Sequence, residues 1–115
     1  MSADTRSKLL THAEVKRIAV DVRGEQVWLR PPTVRQRGVI MRKAGFDGKD
    51  QASLDLALMQ AWAVVLMAED EAGAKIFQHS DVEILLDESA GGVLDILTTD
   101  AMSLINVKAA DAGKS

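Results

Sequence analysis

Residues 53–68 read SLDLALMQAWAVVLMA and carry the strongest helical pattern in the chain. Apolar residues recur there at the spacing of one helix face, which predicts a core-facing stripe of Leu54, Ala57, Leu58, Ala61, Trp62, Val65 and Leu66. Further apolar residues lie off that stripe, at Leu56, Met59, Ala63 and Met67. The predicted helix is therefore apolar on nearly every side, so it is either central in the fold or covered by a partner.

A β-hairpin is predicted before this helix. Residues 15–22 alternate between apolar and polar, which places Ile18, Val20 and Val22 on one face. The turn contains Gly24, which tolerates a positive φ, and residues 26–30 form the return strand. The pair Pro31-Pro32 has no N–H to donate to a strand ladder, so the hairpin ends there.

Four further helices are predicted from capping residues and apolar spacing. The first covers residues 4–12, with Ser2 or Asp4 as its cap, and the second covers 34–44, with Thr33 at its start and Gly45 at its end. The third covers 81–87, where Ser80 and Glu83 cap each other, and the last covers 92–107. The fold class is therefore α+β, with an N-terminal β-hairpin followed by a mainly helical bundle of three to four helices. One domain over residues 1–107 and a flexible tail over 108–115 are expected.

The composition excludes several classes of protein. A chain of 115 residues with 47% hydrophobic content supports one domain with its own core. It has no cysteine, which rules out disulfides and thiolate chemistry, and neither a signal peptide nor a membrane-spanning segment is predicted. The net charge of −3 hides an asymmetry, since residues 1–50 contain 11 Lys and Arg against 6 Asp and Glu, whereas residues 51–115 contain 3 against 11.

No arrangement typical of an enzyme is visible. The two histidines, His12 and His79, are far apart in sequence, and the carboxylates of 69–71 and 87–88 are interpreted as solvated loops. Nucleotide-binding and nucleophile motifs are absent. We therefore expect no catalytic residue, no cofactor and no metal site.

The basic segment from Arg30 to Lys43 supports an alternative in which the chain is a DNA-associated phage or bacterial accessory protein. It contains five cations and no acidic residue, namely Arg30, Arg35, Arg37, Arg42 and Lys43. At 100° per residue these charges do not share one helix face, and the only aromatic residue placed for stacking is Trp28. Nucleic-acid binding is therefore ranked behind protein binding.

Three segments together resemble the tail assembly chaperone family of long-tailed bacteriophages. They are VWLRPPTVRQR at 27–37, AWAVVLMAEDEAGAKIF at 61–77 and DVEILL at 81–86. The family pattern has a strand pair ending in Arg-x-x-Thr, a long apolar helix, a Gly-x-x-x-Phe turn, a short Asp-rich helix and a last helix ending near an Asn. The chain has Arg30-Pro-Pro-Thr33, Gly73-Ala-Lys-Ile-Phe77 and Asn106 at those places, over residues 15–107, and departs from the pattern in its double proline.

This resemblance implies a non-catalytic chaperone of phage or prophage origin that acts in the host cytoplasm. It would bind the tape measure protein, keep it soluble and aid tail tube assembly around it, while being absent from the mature virion. The implied partners are the tape measure protein and the tail tube protein, with self-association as a further possibility and no membrane contact. Adaptable methionines and spare apolar positions favour a long helical client, and the candidate partner-binding residues are Trp28, Arg30, Arg35, Arg37, Arg42, Leu56, Met59 and Met67.

The two tryptophans are expected to differ in exposure. Trp62 belongs to the predicted core stripe and should be buried, whereas Trp28 lies on a strand and should be at least partly exposed.

Overall fold

The computed structural model describes residues 3–10, 16–46, 54–89 and 91–114, and these residues form an α+β fold. In chain order the elements are α1 Ala3–Leu10, β1 Ile18–Val22, β2 Glu25–Leu29, α2 Val34–Lys43, α3 Leu56–Met67, β3 Ala68–Glu69, α4 Asp81–Leu86 and α5 Val93–Lys114. The three strands form one sheet in the order β1-β2-β3. The predicted class, with a hairpin before a mainly helical part, is confirmed.

The hairpin closes through a two-residue turn. Val22 pairs with Glu25, and the intervening Arg23 and Gly24 have φ values of 53° and 87°. Two consecutive positive φ angles match the twist of the flanking strands, as in a type I′ turn. Val22 is buried, and Ile18 and Val20 on the same face of β1 are half-buried, as their alternation predicted.

Strand β3 was not predicted. Ala68 was expected to close the long helix, but its ψ of 131° is extended, and it pairs with Leu29 while Glu69 pairs with Trp28. The backbone N–H of Arg30 also donates to the Met67 carbonyl at 3.0 Å. The chain leaves the helix here because β2 offers it ladder hydrogen bonds, and sequence periodicity contains no information about that neighbour.

Capping residues fix the starts of the helices, and only some were predicted correctly. Thr33 begins α2 through a capping box, in which its hydroxyl accepts from the Gln36 N–H at 3.0 Å and the Gln36 side chain accepts from the Thr33 N–H at 2.9 Å. Helix α3 begins later than predicted, because the Asp55 carboxylate accepts from the Leu58 N–H. The predicted start at Ser53 lies outside the described residues.

Two further predictions concern helix ends. Mutual capping by Ser80 and Glu83 is wrong, because Ser80 makes no side-chain cap bond and the Asp81 carboxylate instead accepts from the Gln78 N–H at 2.8 Å. Helix α5 continues to Lys114, past the predicted end at residue 107.

The division into a domain over 1–107 and a flexible tail over 108–115 stays a prediction. The cap Ser2 and the predicted end of the first helix at 11–12 lie outside the described residues.

Helix α3 is the centre of the fold. It packs against α2, α4, α5 and β2, and its buried residues are Ala61, Ala63, Val64, Val65 and Met67. This face differs from the predicted stripe, since Ala57 is exposed and Trp62 and Leu66 are only half-buried. The second half of α3 is thus core on almost all sides, while its first turn faces solvent.

Candidate partner-binding site

An apolar groove of about 320 Å³ lies where α2, α3 and α5 meet. Its lining residues are Val34, Arg37, Gly38, Ile40 and Met41 from α2, Met59 from α3 and Ile105 from α5. Aliphatic and thioether side chains with one guanidinium favour the insertion of apolar side chains from a partner. We call this surface the α2 groove.

The α2 groove is open because of the residue pattern of α2. Val34, Gly38 and Met41 are four and three residues apart, so they lie along one face of the helix. Val34 is 73% exposed at one end. Gly38 contributes no side chain between these two larger residues, and the Arg42 guanidinium lies close to the position that a Cβ would take.

The chain's own fold does not require a glycine at position 38. Its φ lies in the ordinary helical range of α2, and a Cβ built there would meet only the tip of Arg42, with Nη1 at 3.3 Å. Glycine in a helix interior costs about 0.5–1 kcal/mol relative to alanine. That cost has no compensation within the described part of this chain.

The rim of the α2 groove is basic. Arg35, Arg37 and Arg42 make no ion pair or side-chain hydrogen bond with any described residue, and α2 contains no acidic residue. The Arg42 guanidinium lies beside Gly38, whereas Arg37 is the arginine that lines the groove. Lys43 differs, because its Nζ lies 5.1 Å from the centre of the Trp62 ring.

A second cluster lies where β2 and β3 pair, around the carboxylate of Glu69. Glu69 is only 2% exposed, and its Oε1 accepts from Arg17 Nη1 at 3.0 Å and from Arg30 Nε at 3.1 Å. The Arg17 guanidinium also lies 4.7 Å from the centre of the Trp28 ring. We call Arg17, Trp28, Arg30 and Glu69 the Glu69 cluster.

Two opposing effects set the pKa of Glu69. Burial alone raises the pKa of a carboxyl group, because the charged form loses its hydration. The hydrogen bonds and positive charges of Arg30 and Arg17 outweigh that penalty, and the pKa of Glu69 is lowered from its ordinary value of 4.5. Glu69 is therefore held as a carboxylate whose role is structural.

The expectation that residues 69–71 form a solvated loop is wrong for Glu69. It is buried because β3 pairs it with Trp28, and its arginine partners lie 39 and 52 residues away in sequence. No local pattern indicates pairings over such separations. Glu71 does fit the expectation, since its side chain is exposed.

The structure divides the predicted partner-binding residues into three groups. Arg37 and Met59 line the α2 groove, Arg42 lies beside Gly38, and Leu56, 61% exposed, precedes Met59 by one turn of α3. Arg35 is exposed on the same helix. The other two groups are the half-buried pair Trp28 and Arg30 of the Glu69 cluster, and Met67, which lies in the core.

Met67 lies in the core of the fold. It is 1% exposed, because the last turn of α3 lies beneath β2 and among the other core residues. In this fold the chain itself covers Met67, and its contact with a partner stays a prediction.

The two tryptophans do not differ as expected. Both are half-buried, so the expectation is confirmed for Trp28 and wrong for Trp62. The outer part of Trp62 lies against the exposed His79, with ring centres 5.2 Å apart in an edge-on arrangement, and against Lys43. The Trp28 Nε1–H is buried and donates no hydrogen bond to the described residues. The Arg17 guanidinium lies over the π face of the Trp28 ring.

The described residues give little support to other kinds of site. They contain no group of three or more metal-binding side chains placed to hold an ion. Within the same ranges, no helix has the length and apolar character needed to cross a bilayer. Of the five cations in the basic segment, Arg30 is engaged by Glu69 and Lys43 by Trp62, which leaves three for a phosphate backbone.

Replacing Gly38 with alanine is expected to raise the free energy of unfolding by about 0.5–1 kcal/mol, since the new Cβ displaces only the mobile end of Arg42. Urea denaturation measures the change. Gly92→Ala is the matched control, because a Cβ there would lie 3.0–3.1 Å from three atoms of Glu88, whose Oε1 accepts from the Leu94 N–H. We expect no gain from this control, and a loss of stability in Gly38→Ala would show that the fold itself needs the glycine.

Comparison with known proteins gives a likeness in structure and none in sequence. The sequence matches no protein-family model and no curated protein. The structure, however, is similar to that of the bacteriophage HK97 tail assembly chaperone, with a TM-score of 0.57, 20% sequence identity, and coverage of 89% of this chain and 99% of that one. At that identity the similarity establishes the fold, and the predicted resemblance to tail assembly chaperones is confirmed at that level.

Proposed function

We propose that this chain is a tail assembly chaperone of a long-tailed phage or prophage, without catalytic activity. It would bind the tape measure protein in the host cytoplasm, keep it soluble and aid assembly of the tail tube around it. It would then be absent from the mature virion. Contact with the tail tube protein is part of the same proposal.

The observation that supports this proposal most strongly is the extent of the fold similarity. The HK97 tail assembly chaperone is matched over 99% of its length, so the shared fold is a whole domain and not one hairpin or helix pair. Fold alone does not determine function. The apolar lining of the α2 groove, in which Val34 is exposed, adds a local reason, because a protein that holds an aggregation-prone client needs apolar surface that its own fold leaves uncovered.

Co-expression with a tape measure protein from the same genome tests the proposal. We expect the tape measure protein to move from the insoluble to the soluble fraction and to co-purify with this chain, because its apolar segments are covered as they emerge. The control is co-expression with an unrelated domain of similar length and net charge. Equal solubility of the tape measure protein with both partners would contradict the proposed function.

A further inference from the structure

We propose that the α2 groove binds an amphipathic helix whose apolar stripe is flanked by carboxylates. The inference deepens the proposed function, on which it rests for the identity of the client, by assigning the surface and the chemistry of the bound segment. The α2 groove and the three arginines of α2 that have no acidic partner among the described residues form the two halves of one recognition surface.

The first half of the surface is apolar and elongated. Val34, Gly38 and Met41 run along α2, and Met59 faces them from α3. A volume of about 320 Å³ accommodates a few side chains and not a helix backbone. The occupant therefore lies along α2 and inserts side chains spaced at i, i+3 or i+4 and i+7, the pattern of a helix that docks in a groove.

The second half of the surface is positively charged. Arg37 lines the groove, and Arg35 and Arg42 are exposed on the same helix. None of the three has a carboxylate partner among the described residues. Charge complementarity then requires acidic residues beside the apolar stripe of the occupant. A basic client helix would bring like charges together and bind weakly.

Gly38 gives an independent reason for a helix that approaches closely. The fold of this chain does not use the missing side chain, and the glycine weakens α2. A partner that displaces the exposed end of Arg42, which lies beside Gly38, reaches the α2 backbone at this position. Function at this surface would explain why a position that is unfavourable for helix stability is occupied by glycine.

A client helix is favoured over a second copy of this chain. The acidic element in the described part of the chain with an exposed large apolar residue is α4, which carries Ile84 among Asp81, Glu83 and Asp87. It has six residues, so it cannot present apolar residues at i and i+7. A longer acidic helix makes better use of the length of the α2 groove.

The test uses a labelled alanine-based helical peptide with leucines at i, i+3 and i+7 and flanking glutamates, and a second peptide with lysines in place of the glutamates. Fluorescence anisotropy with the full chain is expected to show at least tenfold tighter binding of the acidic peptide. Binding should weaken as salt is raised. Equal or tighter binding of the basic peptide would overturn the proposal.

Val34→Asp is the variant that tests the location, and Ile84→Asp is its matched control. Both residues are exposed, at 73% and 65%, and an aspartate in the first turn of α2 is compatible with the helix dipole, so both variants should fold. Val34→Asp is expected to weaken the binding of the acidic peptide at least tenfold, whereas Ile84→Asp should leave the affinity for this peptide unchanged. The reverse result would place the site elsewhere.

Sedimentation and co-expression separate the remaining outcomes. If the chain self-associates and both variants abolish this equally, the occupant is a second copy and the proposal fails. If Val34→Asp solubilises the tape measure protein as well as the unchanged chain does, the α2 groove assignment fails while the proposed function stands. If the acidic peptide binds as expected but the tape measure protein is not solubilised, the proposed function fails while the chemistry of the groove stands.

Discussion

Replacing Met67 with alanine is expected to lower the free energy of unfolding by about 2–5 kcal/mol, because the truncation leaves a cavity in a core that relaxes only partly. Met67 is 1% exposed at the end of α3 and packs within the cluster that includes Leu29 and Val64. Urea denaturation measures the loss. If the dependence of the unfolding free energy on urea concentration has an unchanged slope, the loss belongs to the folded state.

Leu56→Ala is the matched control in the same helix. Leu56 is 61% exposed, so its truncation removes few contacts, and we expect a change within about 0.5 kcal/mol. Both residues lie off the predicted core stripe, which makes the pair a direct test of burial. If Leu56→Ala proved as destabilising as Met67→Ala, the described placement of α3 would be wrong.

This contrast shows how far periodicity determines a buried face. Helical spacing identifies the core side of an amphipathic helix because its other side is polar. Residues 56–67 are apolar all round, so the pattern predicted the helix but could not distinguish Met67 from Leu56. Burial of Met67 is decided by β2 and the neighbouring helices, which come from other parts of the sequence.

Features set by neighbouring residues were predicted well. The hairpin depends on alternation and on Gly24, and the start of α2 depends on Thr33, with Pro31 and Pro32 ending the strand before it. Strand β3 and the Glu69 cluster depend on pairings across 39 to 52 residues, so local patterns missed both. Arg37 and Met59, predicted as partner-binding residues, do line the α2 groove, but the location of the groove depends on the packing of three helices, and their role in binding stays a prediction.

The Glu69 cluster leads to the second large effect. Glu69→Ala is expected to lower the free energy of unfolding by about 2–4 kcal/mol, because it removes an acceptor of charged hydrogen bonds and leaves two guanidinium groups facing each other. Arg17 and Arg30 keep partial access to water, which limits the loss. Glu71→Ala, at an exposed neighbouring carboxylate, should change stability by no more than about 0.5 kcal/mol. An equal loss in the two variants would contradict the role assigned to Glu69.

The stabilising effect of Glu69 should depend on pH in a direction fixed by its lowered pKa. A group that is more acidic in the folded state stabilises it fully above the unfolded-state pKa, here near 4.5, and loses that contribution as pH falls through the folded-state value. The difference in unfolding free energy between the unchanged chain and Glu69→Gln should therefore be constant near neutral pH and shrink below 4.5. Glutamine preserves the shape and an oxygen acceptor, so this difference isolates the charge. Urea denaturation of both proteins from neutral pH to about pH 3 measures it, and a difference that persists unchanged at the acidic end would show that the effect of Glu69 does not come from its charge.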